Sequence, residues 1–263
     1  MYKVDFRTVE FPSSFLNRIV KFDIYTSGIG SDSTNADLVL INDGQDLLKM
    51  RFIDILNDLQ PQTPLLVIGL HAGEQRKQEY GVAGFPDYMG RGAKASLYSK
   101  FIIEELLSNV DAFLPGLKIQ SKALAGFSLG GLMAFDLLMD YPKIFTSVGV
   151  FSGSFWWRSK SLEDGYDEEQ HRIMHAKIRT KKKEPGLKFF IQTGQLDETA
   201  DRNNNGIIDS IDDALGIISE LSALGYTLSE SITYLELKEG RHDVQTWGSV
   251  MPDFLKWLIT NRN

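Results

Sequence analysis

Gly126-Phe127-Ser128-Leu129-Gly130-Gly131 sets one hydroxyl in a tight turn, with glycines two positions away on either side. The run Lys122–Ala125 before it reads as a short buried strand. Leu129 to Asp140 after it reads as a helix stopped by Pro142. A serine on a sharp strand-to-helix turn sits in a strained backbone conformation, and side chains at the flanking positions would collide. The helix also aims its first N–H groups and its positive dipole end at that hydroxyl. This arrangement suits attack on a carbonyl carbon. The competing reading, a glycine-rich turn with an incidental serine, loses weight because the flanking strand and helix are both present.

Serine is a poor nucleophile without a positioned base. The chain has four histidines, His71, His171, His175 and His242. His242, in Glu239-Gly240-Arg241-His242-Asp243, follows the last expected strand and precedes the final helix. That is the carboxyl edge of a sheet and the last place in the order serine, acid, histidine. His71 follows another strand but precedes the serine, and it reads as a loop histidine. His171 and His175 share a helical face in a charged stretch with no H-E-x-x-H or cysteine to complete a zinc site, so both are expected in solvent.

The acid is expected after the strand Lys188–Gln192, in Thr193-Gly194-Gln195-Leu196-Asp197-Glu198. Asp197 is the choice and Glu198 the alternative; either would fix the imidazole tautomer and stabilise the imidazolium. A turn-capping role is the plainer reading of both. The backbone N–H of Leu129 and that of Gln45, in Asn42-Asp43-Gly44-Gln45-Asp46, are the expected oxyanion donors, with Gly44 permitting close approach to the substrate. Trp156 and Trp157 are candidate pocket walls, with core packing an equal alternative. Arg76 and Glu79 read as a surface pair three apart.

Asp201 to Asp212 fits a twelve-residue calcium loop. Oxygens would come from Asp201, Asn203, Asn205, Asp209 and Asp212 and from the Ile207 carbonyl, with Gly206 making the sharp turn. Aspartate replaces the usual glutamate at the twelfth position. The loop reads as a structural calcium site; the alternative is an Asx-rich turn capping the next helix.

The elements that must position these residues alternate in period. Strands are expected at Arg7–Phe11, Ile19–Thr26, Leu38–Ile41, Leu65–Leu70, Lys122–Ala125, Ser147–Phe151, Lys188–Gln192 and Ser231–Leu237. Helices are expected at Leu97–Phe113, Leu129–Asp140, Asp212–Leu224 and Val244–Leu258. This pattern predicts an α/β fold, a mostly parallel sheet with helices on both faces. The charged stretch from 158 to 185 reads as a solvated excursion, a cap over the site. With 263 residues, 43% of them hydrophobic, and no Pro/Ser-rich linker, one domain is expected. A formal net charge of −7 argues against nucleic acid or an anionic membrane as partner. The absence of cysteine removes thiolate catalysis and disulfides. The first seven residues lack the basic and apolar segments of a signal peptide, so a cytoplasmic protein is expected.

With these residues in hand, the chain resembles the putative-esterase family that includes esterase D and the siderophore (enterochelin-type) esterases. The matching pieces are Asp43-Gly44-Gln45, the Arg76/Glu79 segment, Gly126–Gly131, Ser152–Trp157, and His242 through Trp247 to Trp257. The resemblance implies an α/β-hydrolase fold and ester hydrolysis, with Ser128 and His242 in catalytic roles and no organic cofactor. Some relatives carry a similar Asp/Asn-rich insert. Expected is a serine carboxylic-ester hydrolase acting on a small-molecule ester. A siderophore trilactone esterase and an acyltransferase are the family alternatives, and a calcium-dependent binding protein on the same scaffold is the alternative of another class.

Overall fold

The computed structural model describes residues 4–30, 33–59 and 64–261. Of the seven N-terminal residues read for a leader, the first three lie outside the described residues. Eight strands form one sheet: β1 (Asp5–Ser13), β2 (Arg18–Ser27), β3 (Asn35–Asn42), β4 (Leu65–Leu70), β5 (Lys118–Phe127), β6 (Ser147–Phe151), β7 (Lys188–Leu196) and β8 (Ile232–Arg241). Their order is β1-β2-β4-β3-β5-β6-β7-β8. β1 pairs antiparallel with β2, and β2 antiparallel with β4; the remaining pairs are parallel. The fold is that of the α/β-hydrolases.

Continuous apolar runs became the central strands because this sheet is buried on both faces. In β3, Leu38 and Leu40 join one core cluster, and Val39 and Ile41 the other. The first cluster packs under α5 (Leu129–Asp140), α7 (Ile173–Arg179) and α8 (Asp209–Ala223). The second packs under α1 (Phe52–Leu59) and α9 (Val244–Thr260). Short helices α2 (Arg76–Glu79), α4 (Val110–Phe113) and α6 (Glu168–His171) fill connections.

Three expectations change. The segment predicted as one helix over 97–113 is α3 (Ala95–Lys100), a π-helical turn (Phe101–Leu106), a 3₁₀ turn (Leu107–Asn109) and α4. Tyr98, Ile102, Leu106 and Val110, all buried, recur at strict steps of four. A regular helix rotates such a row by about 40° per step, and the wider i→i+5 turn takes up the drift.

The charged stretch from 158 to 185 is solvated only in part, mostly over 159–170. Arg172, Ile173, Met174, His175 and Ile178 are buried. Lys177, in α7, reaches Asp136 Oδ1 at 2.5 Å and Asp140 Oδ2 at 2.7 Å on α5, so the segment clamps the helix that follows Ser128. His175, expected in solvent, is fully enclosed: its Nε2 lies 3.1 Å from the Asp213 carbonyl in α8. Burial first, then the nearby Arg172, pushes its pKa down to about 3, so it stays neutral.

Candidate active site

β5 carries Ser128 to the carboxyl edge of the sheet, and α5 begins at the next residue. The serine backbone sits at φ 54° and ψ −121°, outside the regions open to most L-residues. Bonds on both sides hold it there. Its N–H donates to the Phe151 carbonyl at 2.9 Å, and its carbonyl accepts from Gly131 N at 3.0 Å and Ser154 N at 3.1 Å. A Cβ at Gly126 would stand 2.3 Å from the Gly130 carbonyl oxygen, and one at Gly130 would stand 2.4 Å from Asp43 Oδ2. Only hydrogen fits at either position, which is the physical content of the glycine spacing.

The segments carrying His242 and Asp197 arrive together. Leu196, the last residue of β7, pairs in register with Arg241, the last of β8. Asp197 and His242 therefore each stand one residue beyond the same rung. Asp243 then starts α9 by accepting the Thr246 N–H at 2.8 Å. One cleft of about 240 Å³ is lined by Ser128, His242, Asp43, Gln45, Asp46, Arg76, Phe127 and Trp247. A second, of about 230 Å³, is lined by His242, Asp197, Glu198, Ser152, Gly153, Trp156 and Ser210. His242 belongs to both, between the serine and the carboxylate.

His242 is exposed, yet the surrounding chain strips part of its hydration, and its pKa falls below the ordinary histidine value of 6.5. Burial is the main cause and Arg76 adds to it, while Asp197 and Asp243 oppose it. Burial also raises the Asp197 carboxyl, against the Gly194 N–H, the Ser152 hydroxyl and His242, which favour its charged form. Asp197 Oδ2 accepts the Gly194 N–H at 3.1 Å, while Oδ1 is buried without a hydrogen-bond partner among the described residues. Glu198 lines the second cleft as well, but Asp209 and the Ser210 N–H act on it, and it is not among the charges that act on His242.

This geometry has known counterparts. The family model described as Putative esterase matches residues 13–258. The chain belongs to that esterase family. Among curated proteins, it is 30% identical over 154 residues to an uncharacterized protein, YbbA, of Bacillus subtilis, a match covering 53% of this chain and 58% of the relative. Solved structures with the same fold include the enterochelin esterase of Shigella flexneri, at TM-score 0.69 and 18% identity, covering 97% of this chain and 57% of that one. An IroE-like serine hydrolase from Shewanella oneidensis gives TM-score 0.69 at 17% identity, covering 97% and 80%. The siderophore hydrolase EstB of Aspergillus nidulans gives 0.67 at 16%, covering 95% and 93%. The chain thus spans just under three fifths of the length of YbbA and of the Shigella enzyme.

In this esterase-family chain, Leu129 opens α5, so its N–H has no earlier helical carbonyl to bond. Gln45 sits in a 3₁₀ turn (Gly44–Asp46) at the cleft. Gly44 does not line the cleft: it is buried, and a Cβ there would stand 2.1 Å from the Gly69 carbonyl carbon. Its role is to let that turn lie on β4. The two tryptophans divide. Trp156 lines the second cleft, whereas Trp157 is fully buried with its Nε1 donating to the Phe85 carbonyl at 3.1 Å. His71 meets the buried Asp23 at 2.8 Å and lines neither cleft.

Arg76 and Glu79 are not a pair. Glu79 is buried and bound by Arg18 at 2.6 and 2.8 Å. Arg76 instead grips buried Asp43 through two contacts of 2.7 Å. Asp43 has φ 60° and starts the turn that carries Gln45. Burial pushes its carboxyl up, against the pull of Arg76. Removing the guanidinium leaves a buried carboxylate unpaired. Arg76→Met is expected to cost about 3 kcal/mol, the low end for such a loss because Arg76 keeps some solvent contact. Chemical denaturation reads the change, and adding Asp43→Asn should recover much of it.

The loop from Asp201 to Asp212 closes on itself. Asp201 accepts from Asn205 N at 3.1 Å and Gly206 N at 2.9 Å, and Asp209 accepts from Arg202 N at 2.9 Å. The Asn203 and Asn205 amide nitrogens face Asp212 at 3.4 and 3.1 Å. Among the described residues, no group of three or more histidine or acidic side chains stands arranged to hold a metal. Asp209 and Asp212 lie in the first turn of α8, which starts three residues before the expected boundary.

Five residues around the serine were given no site role in the sequence. Ser154 Oγ lies 3.3 Å from Ser128 Oγ, and Ser152, Trp247 and the Asp43–Arg76 pair surround it. The strand-end position of Ser152-Gly153-Ser154 was the available signal for the first two.

Proposed function

We propose that this chain is a serine carboxylic-ester hydrolase working through an acyl-enzyme on Ser128. The observation that carries this reading is the strained Ser128 at the start of α5, sharing one cleft with His242. In the reaction, Ser128 Oγ attacks the ester carbonyl while His242 takes its proton. The N–H groups of Leu129 and Gln45 hold the oxyanion, and Asp197 stabilises the imidazolium. His242 then protonates the leaving alcohol, and water activated by the same imidazole releases the acid.

Clefts of about 240 and 230 Å³ suit a small ester better than a large one. A panel of acyl esters of graded chain length, with a siderophore trilactone beside them, tests this. Short-chain esters are expected to turn over best. Preference for the trilactone would move the substrate toward that of the enterochelin esterases, transfer to an added alcohol would indicate an acyltransferase, and no turnover of any ester would defeat the reading.

The 201–212 loop is proposed as a structural calcium site outside the reaction. Its asparagine amides must turn to present oxygen toward the ion. Calcium added to chelator-treated protein is expected to raise Tm with kcat unchanged. Superimposable melting curves would leave the loop as a helix-capping turn. Among the described residues, no helix is long and apolar enough to cross a membrane.

A further inference from the structure

Trp247 touches the residue before the proposed nucleophile and the proposed base itself. It lies on the first turn of α9 and is nearly buried. Its ring stacks on Phe127, the residue before the nucleophile, with centroids 5.2 Å apart and planes at 21°. It meets the His242 ring edge-to-face, also at 5.2 Å, with planes at 80°. Its indole N–H donates to Ser152 Oγ at 3.0 Å.

Ser152 is the link to the acid. It is buried, held at φ 45°, and tied to β7 by its own N–H, which donates to the Gln192 carbonyl at 2.8 Å. An indole N–H can only donate, so it occupies a lone pair of Ser152 Oγ and turns the hydroxyl proton away from the ring. Ser152, Asp197 and His242 line the same cleft, and the Ser152 hydroxyl favours the charged form of Asp197. A left-handed backbone at a buried serine is costly, and here it sets one hydroxyl against an indole in the cleft that Asp197 also lines.

We propose that Trp247 is a positioning residue of the hydrolytic site, which orients the Ser152 hydroxyl toward Asp197 by its N–H while its ring fixes the His242 imidazole beside Ser128. This rests on the catalytic reading above. Trp247 takes no part in bond making. It sets the direction of the carboxylate and of the imidazole, and so acts on turnover rather than on substrate affinity.

The test uses Trp247→Phe, which keeps a ring and removes the donor, Ser152→Ala, which removes the acceptor, and the double variant. Each single change is expected to lower kcat roughly tenfold with KM little altered. Because Asp197 holds the His242 pKa up while Arg76 and burial hold it down, with Asp243 the other acid facing it, loosening Asp197 should move the acid limb of the kcat profile to lower pH. The double variant should be no worse than the poorer single, since both cut one chain of contacts. Unchanged kcat and pH profile in Ser152→Ala, or losses that multiply in the double, would overturn the proposal. If Trp247→Phe does not fold, Ser152→Ala alone decides by the same limb shift. Fluorophosphonate labelling of the unsubstituted protein separates the two levels. Labelling at Ser128 with unaltered variants defeats only the role of Trp247, whereas no labelling at all defeats the mechanism beneath it.

Discussion

Ser128→Ala is expected to lower kcat by roughly 10⁴–10⁶ while leaving the fold intact. The loss is large because the acyl-enzyme has no other atom on which to form. Ser154 does not substitute for it: the residue is buried, and its backbone N–H is bonded to the Ser128 carbonyl. Stability should change little, since alanine can keep the backbone bonds to Phe151, Gly131 and Ser154 that hold the turn. Ester hydrolysis followed by single-turnover kinetics, with thermal melting as the control, reads both quantities. Residual activity within a factor of ten would place the chemistry on another residue.

His242→Ala should cost a comparable factor, on the order of 10⁴–10⁶, and the two substitutions together should cost no more than either alone. Nucleophile and base act as a unit, so the second loss finds nothing left to remove. The imidazole also sets the pH dependence. A base works in its neutral form, and the pKa of His242 lies below 6.5 because burial and Arg76 disfavour the cation. Activity should therefore persist below pH 6.5 and fall only as the imidazole protonates in more acid solution. An acid limb centred above pH 7 would mean that Asp197 and Asp243 outweigh burial and Arg76.

Much of the arrangement could be read from the residues. The continuous apolar runs identified the central strands, because a sheet covered on both faces has no polar side to show. Gly126 and Gly130 marked the turn around Ser128 since contacts of 2.3 and 2.4 Å leave no room for a Cβ. What escaped was long-range pairing. Arg76 and Asp43 are 33 positions apart, and nothing local links them, whereas Arg76 and Glu79 have the spacing of a helical pair. His175 sits among charges in sequence and yet is enclosed, because Lys177, Arg172 and Arg202 find their partners on α5 and α8. Trp157 and Trp156 are adjacent and fare differently, since one points into the core and its neighbour into a cleft. Side-chain direction at an irregular loop is set by tertiary packing, not by the order of residue types.

The most direct test is to treat the protein with a fluorophosphonate ester, digest it and locate the phosphonylated residue by mass spectrometry. A single adduct on Ser128, formed far more slowly in His242→Ala, is the predicted result. An adduct on a different residue, or labelling of Ser128 that is indifferent to His242, would contradict a nucleophile at the elbow activated by that imidazole.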